Sequence, residues 1–325
     1  KLSWKRDPVE VFAFHIDVPA GAREVVAKFI HTSPLQSAEG RITMTQEMLN
    51  LQWEKMSLYP AGHYVRQIRV VPAVTLPEGW SSAQAVDILA KEPVLTGTVE
   101  TTPEEGSLWP DTYEVSRGDT RQSVIDRMQR AAKENLRLLW ARRGPGTVVR
   151  NPEEAVILAS IVEKETGLAA ERPRVAAVFS NRLRQGMRLE SDPTIVYGLT
   201  QGRPLGRGIR RSELQRQTPW NTYQIDGLPP TPIANPGKEA LEAVLNPPAD
   251  PALFFVADGS GGHVFAVTYE EHLRNVARWR QIERQKAGLP PEDPAPVAAE
   301  AESAAPGVAD QATITLPPRA GQELR

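Results

Sequence analysis

The clearest pattern in the chain is a 3.6-residue apolar repeat between positions 151 and 186, which predicts two consecutive helices. In N-P-E-E-A-V-I-L-A-S-I-V-E-K-E-T-G, Asn151 suits an N-cap and Pro152 the first helical position. Glu154 stands where its side chain can turn back to the cap, and Gly167 marks the stop. Ala155, Leu158, Ile161 and Val162 form one stripe. Glu165, three residues after Val162 and four after Ile161, projects from within it, whereas Glu163 points to the other side, near Val156 and Ala159. The second helix is E-R-P-R-V-A-A-V-F-S-N-R-L-R-Q-G, closed by Gly186. Helical spacing also marks Arg121–Arg142, ended by Gly144–Gly146, along with Ala83–Ala90 capped by Ser81 or Ser82, Glu239–Leu245 and Tyr269–Gln285.

Strands are fewer. Val9–Val18 alternates, Pro19–Gly21 turns, and Glu24–Ile30 reads as a short helix. Asp192-Pro193 reads as a rigid turn leading into a short strand at Ile195–Tyr197. Phe254–Ala257 and Val264–Val267 form a hairpin across D-G-S-G-G-H. Gly227–Gly237, with four prolines, reads as a stiff loop, and Gln201–Arg211, rich in Gly and Arg, as a mobile loop over a cleft. From about Ala287 the chain turns Pro- and Ala-rich with few large apolar residues, a composition too poor to bury a core. The fold class that follows is α+β with a disordered tail over 287–325.

Composition narrows the function. The chain has 325 residues, 40% hydrophobic and 24% charged, enough for two domains of ordinary globular character. A net charge of −2 argues against nucleic acid as the main partner. With no cysteine, disulfides and thiolate metal sites are excluded. No phosphate-binding Gly loop and no His cluster at metal spacing appears, so no cofactor and no metal is expected. No apolar run of 18 residues is present to span a membrane.

Glu165 is the residue where chemistry concentrates. A carboxyl among apolar neighbours loses hydration, its pKa rises, and it becomes a proton donor near neutral pH. The alternative is a helix end that leaves Glu165 exposed or paired with an arginine of the next helix. Asp192 and Glu190 are the nearest second carboxylates, with Asp192 either a turn former or a second polar group that positions a substrate or tunes Glu165. Asn221-Thr222-Tyr223 supplies an amide, a hydroxyl and a phenol, which suit sugar substituents and turns alike. The Gln201–Arg211 loop carries positive charge that suits carboxylates of a ligand or simply a solvated surface. Trp109 and Tyr113 read as core rather than sugar platform, and His263 as structural rather than base or ligand.

Several motifs in one order carry a resemblance: E-G-S-L-W-P-D-T-Y-E-V from Glu105, A-S-I-V-E-K-E-T-G through S-N-R-L-R-Q-G and S-D-P-T, P-W-N-T-Y-Q-I-D-G-L-P-P-T-P-I-A-N-P-G from Pro219, and L-F-F-V-A-D-G-S-G-G-H-V-F from Leu253. Together, over about Pro77 to Arg284, they resemble the endolytic murein transglycosylases (MltG/YceG-like family). The resemblance implies a divergent LysM-like N-terminal domain over 1–73 and a catalytic domain over 74–286. It makes Glu165, the second Glu of E-K-E-T, the catalytic acid, with Asp192, Thr194, Asn221, Thr222 and Tyr223 as substrate-binding groups. It further implies cleavage of the N-acetylmuramic acid to N-acetylglucosamine β-1,4 bond within peptidoglycan strands to 1,6-anhydro ends, in cell-wall elongation. The expected partners are glycan strands and peptidoglycan synthases. The expected location is the periplasmic face of the inner membrane, with a single-pass anchor upstream of this chain. A muramidase hydrolysing the same bond and a non-catalytic glycan-binding scaffold are the two alternatives.

Overall fold

The computed structural model describes residues 72–290 in full and, before them, the backbone of strand segments only. The chain divides into two compact units, Lys1–Thr75 with Lys91–Thr98 and Thr112–Val124, and Leu76–Ala90 with Val99–Asp111 and Ile125–Arg325. The predicted turn at Pro19–Gly21 and the predicted tail from residue 291 lie outside the described residues.

In the first unit, strands β1 (Lys5–Arg6), β2 (Val11–Phe14), β3 (Glu24–Thr32) and β4 (Leu35–Thr43) pair in sequence order, all antiparallel. β5 (Leu49–Trp53) leads to a short ribbon of β6 (Leu58–Tyr59) and β7 (Gly62–His63). β8 (Ile68–Thr75) then pairs with β5 on one side and β9 (Thr112–Glu114) on the other. The helix expected over Glu24–Ile30 is therefore a strand. Val25, Val26 and Ile30 are β-branched, and β2 and β4 supply ladder partners on both sides, so pairing outweighs the weak local helical spacing.

The second unit is built on helices: α1 (Ser82–Lys91), the body of α2 (Arg121–Ala141), α3 (Pro152–Glu165), α4 (Arg172–Arg184), α5 (Asp192–Thr200), α6 (Arg211–Leu214), α7 (Lys238–Leu245) and α8 (Tyr269–Lys286). The hairpin β10 (Phe254–Ala257) and β11 (His263–Ala266) stands before α8. α3 is the central helix, packed against α4, α5 and α7. It is buried all round from Leu158 to Glu163, so the single apolar stripe expected from its sequence is only part of its contact surface. Its cap is as read, with the Asn151 side chain accepting the Glu154 N–H at 2.7 Å. Glu154 reaches one residue farther back, to the Arg150 N–H at 2.8 Å. α3 stops because Thr166 turns extended, not at a left-handed Gly167. α4 ends as expected: Gly186 sits at φ +68°, and the next N–H, of Met187, returns to the Arg182 carbonyl at 2.9 Å.

The proline-rich 227–237 loop runs along α3. The Ile233 N–H donates to Ser160 Oγ (2.9 Å) and the Gly237 N–H to Glu163 Oε2 (3.1 Å). Glu163, 2% exposed, also pairs with Arg172, so this buried carboxylate is accounted for by fold. Asn235 is the knot of the unit. Its Oδ1 accepts the Leu108 N–H, and its Nδ2 donates to the Trp80 carbonyl, Ser82 Oγ and Glu105 Oε1. Glu105 in turn accepts the Ser82 N–H at 2.8 Å, an anion at the start of α1. Gly106, at φ +77°, lies so close to Pro232 that a Cβ would stand 2.6 Å from its Cγ. The E-G-S-L-W-P and P-T-P-I-A-N-P-G motifs thus lock onto each other, and Trp109 is buried in the core as expected.

Replacing Asn235 strands several buried groups at once. Asn235→Ala is expected to lower unfolding stability by about 3 kcal/mol, read as a lower urea midpoint with an unchanged slope.

Candidate active site

Glu165 is the last residue of α3 and is half-buried, and its carboxyl receives the Ser191 hydroxyl at 2.5 Å. Loss of hydration pushes its pKa up to about 7, and the neighbouring Asp192 carboxylate adds to the rise. The Ser191 hydrogen bond and the Arg182 guanidinium act the other way. The C-terminal end of α3 carries the negative helix pole, which likewise disfavours an anion there. Of the two alternatives for Glu165, the desolvated carboxyl is the one found. An arginine is near but is engaged elsewhere.

Ser191 was not singled out by its sequence, yet it is the group in contact with Glu165. It occupies the N-cap of α5, where a serine ordinarily spends its hydroxyl on the helix's own N–H groups. Here the hydroxyl is free for Glu165, because other groups hold the turn. The Ser191 N–H donates to Thr222 Oγ1 (2.9 Å), Thr194 Oγ1 donates to the Ser191 carbonyl (2.6 Å), and the Thr194 and Thr222 hydroxyls meet at 2.9 Å. Residues 195–197 are therefore helical, not the strand that Ile-Val-Tyr suggested, and Asp192-Pro193 opens α5 instead of making an isolated turn. The signal available in the sequence was Ser-Asp-Pro as N-cap, acid and first-turn proline.

Glu190 precedes Ser191 in the left-handed region, at φ +52°, a strained position for a residue with a Cβ. Its N–H donates to the Thr222 carbonyl, and its carboxylate pairs with Arg182 at 3.0 Å. Arg182, 7% exposed, also donates to the carbonyls of Arg188, Leu189 and Leu253, and its guanidinium lies 5.1 Å from the centre of the Phe254 ring. This cation pins the 188–190 loop, and so aims Ser191 and Asp192.

Asp192 is partly exposed beside Glu165, and its Oδ1 accepts the Tyr223 hydroxyl at 2.7 Å. Burial raises its pKa, offset in part by that bond, and burial together with Asp192 raises the Tyr223 phenol well above its ordinary value. Asn221 is buried. Its Nδ2 donates to the carbonyls of Glu213, Leu214 and Arg216, and its Oδ1 accepts the Tyr223 N–H. The structure thus brings together all six residues named from the sequence. Glu165, Asp192 and Tyr223 reach solvent, while Thr194, Asn221 and Thr222 lie in the floor beneath them. His263 joins Glu171 through Nδ1 (2.8 Å), and Glu171 also accepts the Thr166 hydroxyl, so the hairpin is fastened to the end of α3. Among the described residues no group of three or more His, Cys, Asp or Glu is arranged to hold a metal ion, and no helix is long and apolar enough to cross a membrane.

Comparison with known proteins gives consistent results. The family model described as "YceG-like family" matches residues 23–278, farther toward the start than the motifs alone reach. An endolytic murein transglycosylase of Streptococcus pneumoniae is 37% identical over 179 residues, which cover 53% of this chain and 32% of the relative. An endolytic murein transglycosylase of Bacillus subtilis is 32% identical over 185 residues, covering 57% of this chain and 50% of the relative. The match thus spans between about a third and half of these relatives' length. A crystal structure of a putative yceG-like protein from Listeria monocytogenes superposes with a TM-score of 0.52 at 28% identity, covering 62% of this chain and 75% of that one. With the family model matched over most of its length, this chain belongs to the YceG-like family.

Proposed function

We propose that the second unit is a lytic transglycosylase that cleaves peptidoglycan strands internally, with Glu165 as its acid and then its base. The observation that carries this reading is a single carboxyl whose pKa is raised to about 7 in a partly open site, supported by the relatives' names. Protonated Glu165 gives its proton to the glycosidic oxygen, and the bond from that oxygen to C1 of the muramyl sugar breaks. An oxocarbenium-like charge develops at C1. The carboxylate left behind then takes the proton of the muramyl 6-hydroxyl as that oxygen attacks C1. The products are a free 4-hydroxyl and a 1,6-anhydro ring, no water is consumed, and Glu165 is protonated again. Ser191 steadies the carboxylate between the two steps. Asp192 and Tyr223 face the sugar, with the Asp192 charge opposing ionisation of Glu165 and favouring the developing cation. Thr194, Asn221 and Thr222 position these groups from below.

The hydrolytic alternative needs a second carboxylate to place water. Glu190 is committed to Arg182, which leaves Asp192 for that role, and the product end distinguishes the two reactions. The same proposal takes in the LysM-like reading of residues 1–73, catalytic-domain bounds of 74–286, action beside peptidoglycan synthases in wall elongation, and a place at the periplasmic face of the inner membrane. These rest on the resemblance alone.

Glu165→Gln is expected to abolish release of anhydro-ended fragments from purified strands, measured by mass spectrometry, while the variant stays folded and still binds strands. Cleavage at the wild-type rate would remove Glu165 from the mechanism. The first step needs the acid form, so the rate is expected to fall as pH rises past about 7. Ser191→Ala removes a pKa-lowering bond and moves that limb to higher pH. Asp192→Asn removes a pKa-raising charge and moves it lower. Stability follows the same sign. The folded state holds the Glu165 proton between the ordinary carboxyl pKa of 4.5 and about 7, so stability falls as pH rises across that window. Glu165→Gln removes this loss of at most about 3 kcal/mol, reduced by solvent screening of the partly exposed group, and is checked by urea unfolding at pH 5 and pH 8.

A further inference from the structure

We propose that the segment 201–217 is an anion-binding rim for this site, and that it receives carboxylates on the peptide side branches of the glycan strand. The inference rests on the glycan-cleaving reading above and names a further determinant of its substrate. In a chain of net charge −2, this stretch holds five arginines and one glutamate. Two arginines are spent within the fold, Arg203 on Asp87 and Arg207 on Glu213. Glu213 also accepts the Arg210 N–H, and the Arg207 guanidinium, that N–H and the nearby Arg210 charge hold its pKa down to about 2, so one ionised carboxylate stands against the five cations of the segment. Arg210, Arg211 and Arg216 are exposed, and among the described residues none of the three side chains forms an ion pair.

The segment is anchored, not loose. Ile209 is buried, and Asn221 Nδ2 holds the carbonyls of Glu213, Leu214 and Arg216 while Gln224 Nε2 holds Leu214 again. That same Asn221 accepts the Tyr223 N–H through Oδ1. One buried amide therefore fixes the arginine rim and the substrate-facing tyrosine to each other. Adjacent like charges at Arg210 and Arg211 repel, a cost the fold accepts beside this site. The chemistry selects the occupant: guanidinium groups pair with carboxylates in a planar, two-bond geometry. In an intact strand the muramyl lactyl group is tied up in an amide, so the carboxylates available are those of the peptides.

The test uses the full chain carrying Glu165→Gln, so that binding is read without cleavage. The ligands are purified peptide-bearing strands and the same strands with their peptide carboxylates converted to amides. Neutralising the rim with Arg210→Gln, Arg211→Gln and Arg216→Gln together is expected to weaken binding of the untreated strands by about tenfold at low salt. Amidation is expected to weaken binding to the unmutated rim by a similar factor, with little further loss when both changes are combined. The difference should shrink as salt rises. An unchanged urea midpoint for the triple variant excludes misfolding as the cause. Equal losses on both kinds of strand, or none on either, would overturn the rim. A wild-type chain that binds strands but never cuts them would instead overturn the transglycosylase reading and leave the rim standing.

Discussion

The site depends on a carboxyl that protein has stripped of most of its water while leaving it reachable. Desolvation favours the neutral acid, and the adjacent Asp192 charge and the negative end of α3 favour it further. The Ser191 hydroxyl and Arg182 pull back, which keeps the pKa near 7 and not far above it. That balance is what lets one group serve in both directions. A fully buried, unbonded Glu165 would hold its proton too tightly to return as a base, and an exposed one would have lost it at neutral pH.

The rest of the unit holds that balance in place. α3 is held in place because its middle, Leu158 to Glu163, is buried all round and stitched to the 227–237 loop through Ser160 and Glu163. The opposing wall is set by Arg182, which ties the strained Glu190 to the end of β10's approach at Leu253. Thr222 holds the Ser191 N–H and Thr194 the Ser191 carbonyl, and α5 has no side-chain cap, so the Ser191 hydroxyl is given to Glu165 instead. The strain at Glu190 and the diverted cap are both costs to folding. Both sit next to the group whose chemistry needs them.

The sequence showed the helical body well where burial follows a period. The N-cap of α3 at Asn151, the extent of α2, α7 and α8, the hairpin and the close of α4 at Gly186 were legible, the stop of α3 at Gly167 was not, and Glu165 stood out from helix geometry and resemblance alike. What was hidden was whatever pairing or tertiary context decides. Residues 24–32 form a strand because β4 pairs along its whole length and β2 pairs with 25–28 on the other side. Residues 195–197 are helical because Ser191, Pro193 and Thr194 start a helix that overrides the β preference of Ile-Val-Tyr. Ser191 was not singled out, since nothing local reveals that its hydroxyl turns to Glu165 while Thr222 holds its N–H. Asn221 and Thr222 were readable as polar groups near the site, but their orientation into the floor was not.

One proton decides the chemistry, and its direct measurement is the ionisation of the Glu165 carboxyl itself. Difference infrared spectroscopy on protein with isotope-labelled glutamate, with Glu165→Gln as the subtraction, follows that single group through pH. A protonated carbonyl band that disappears with a midpoint near 7 is what this account requires. A midpoint near the ordinary carboxyl value of 4.5 would mean that Glu165 is already ionised at neutral pH, and the proposed acid step would have no donor.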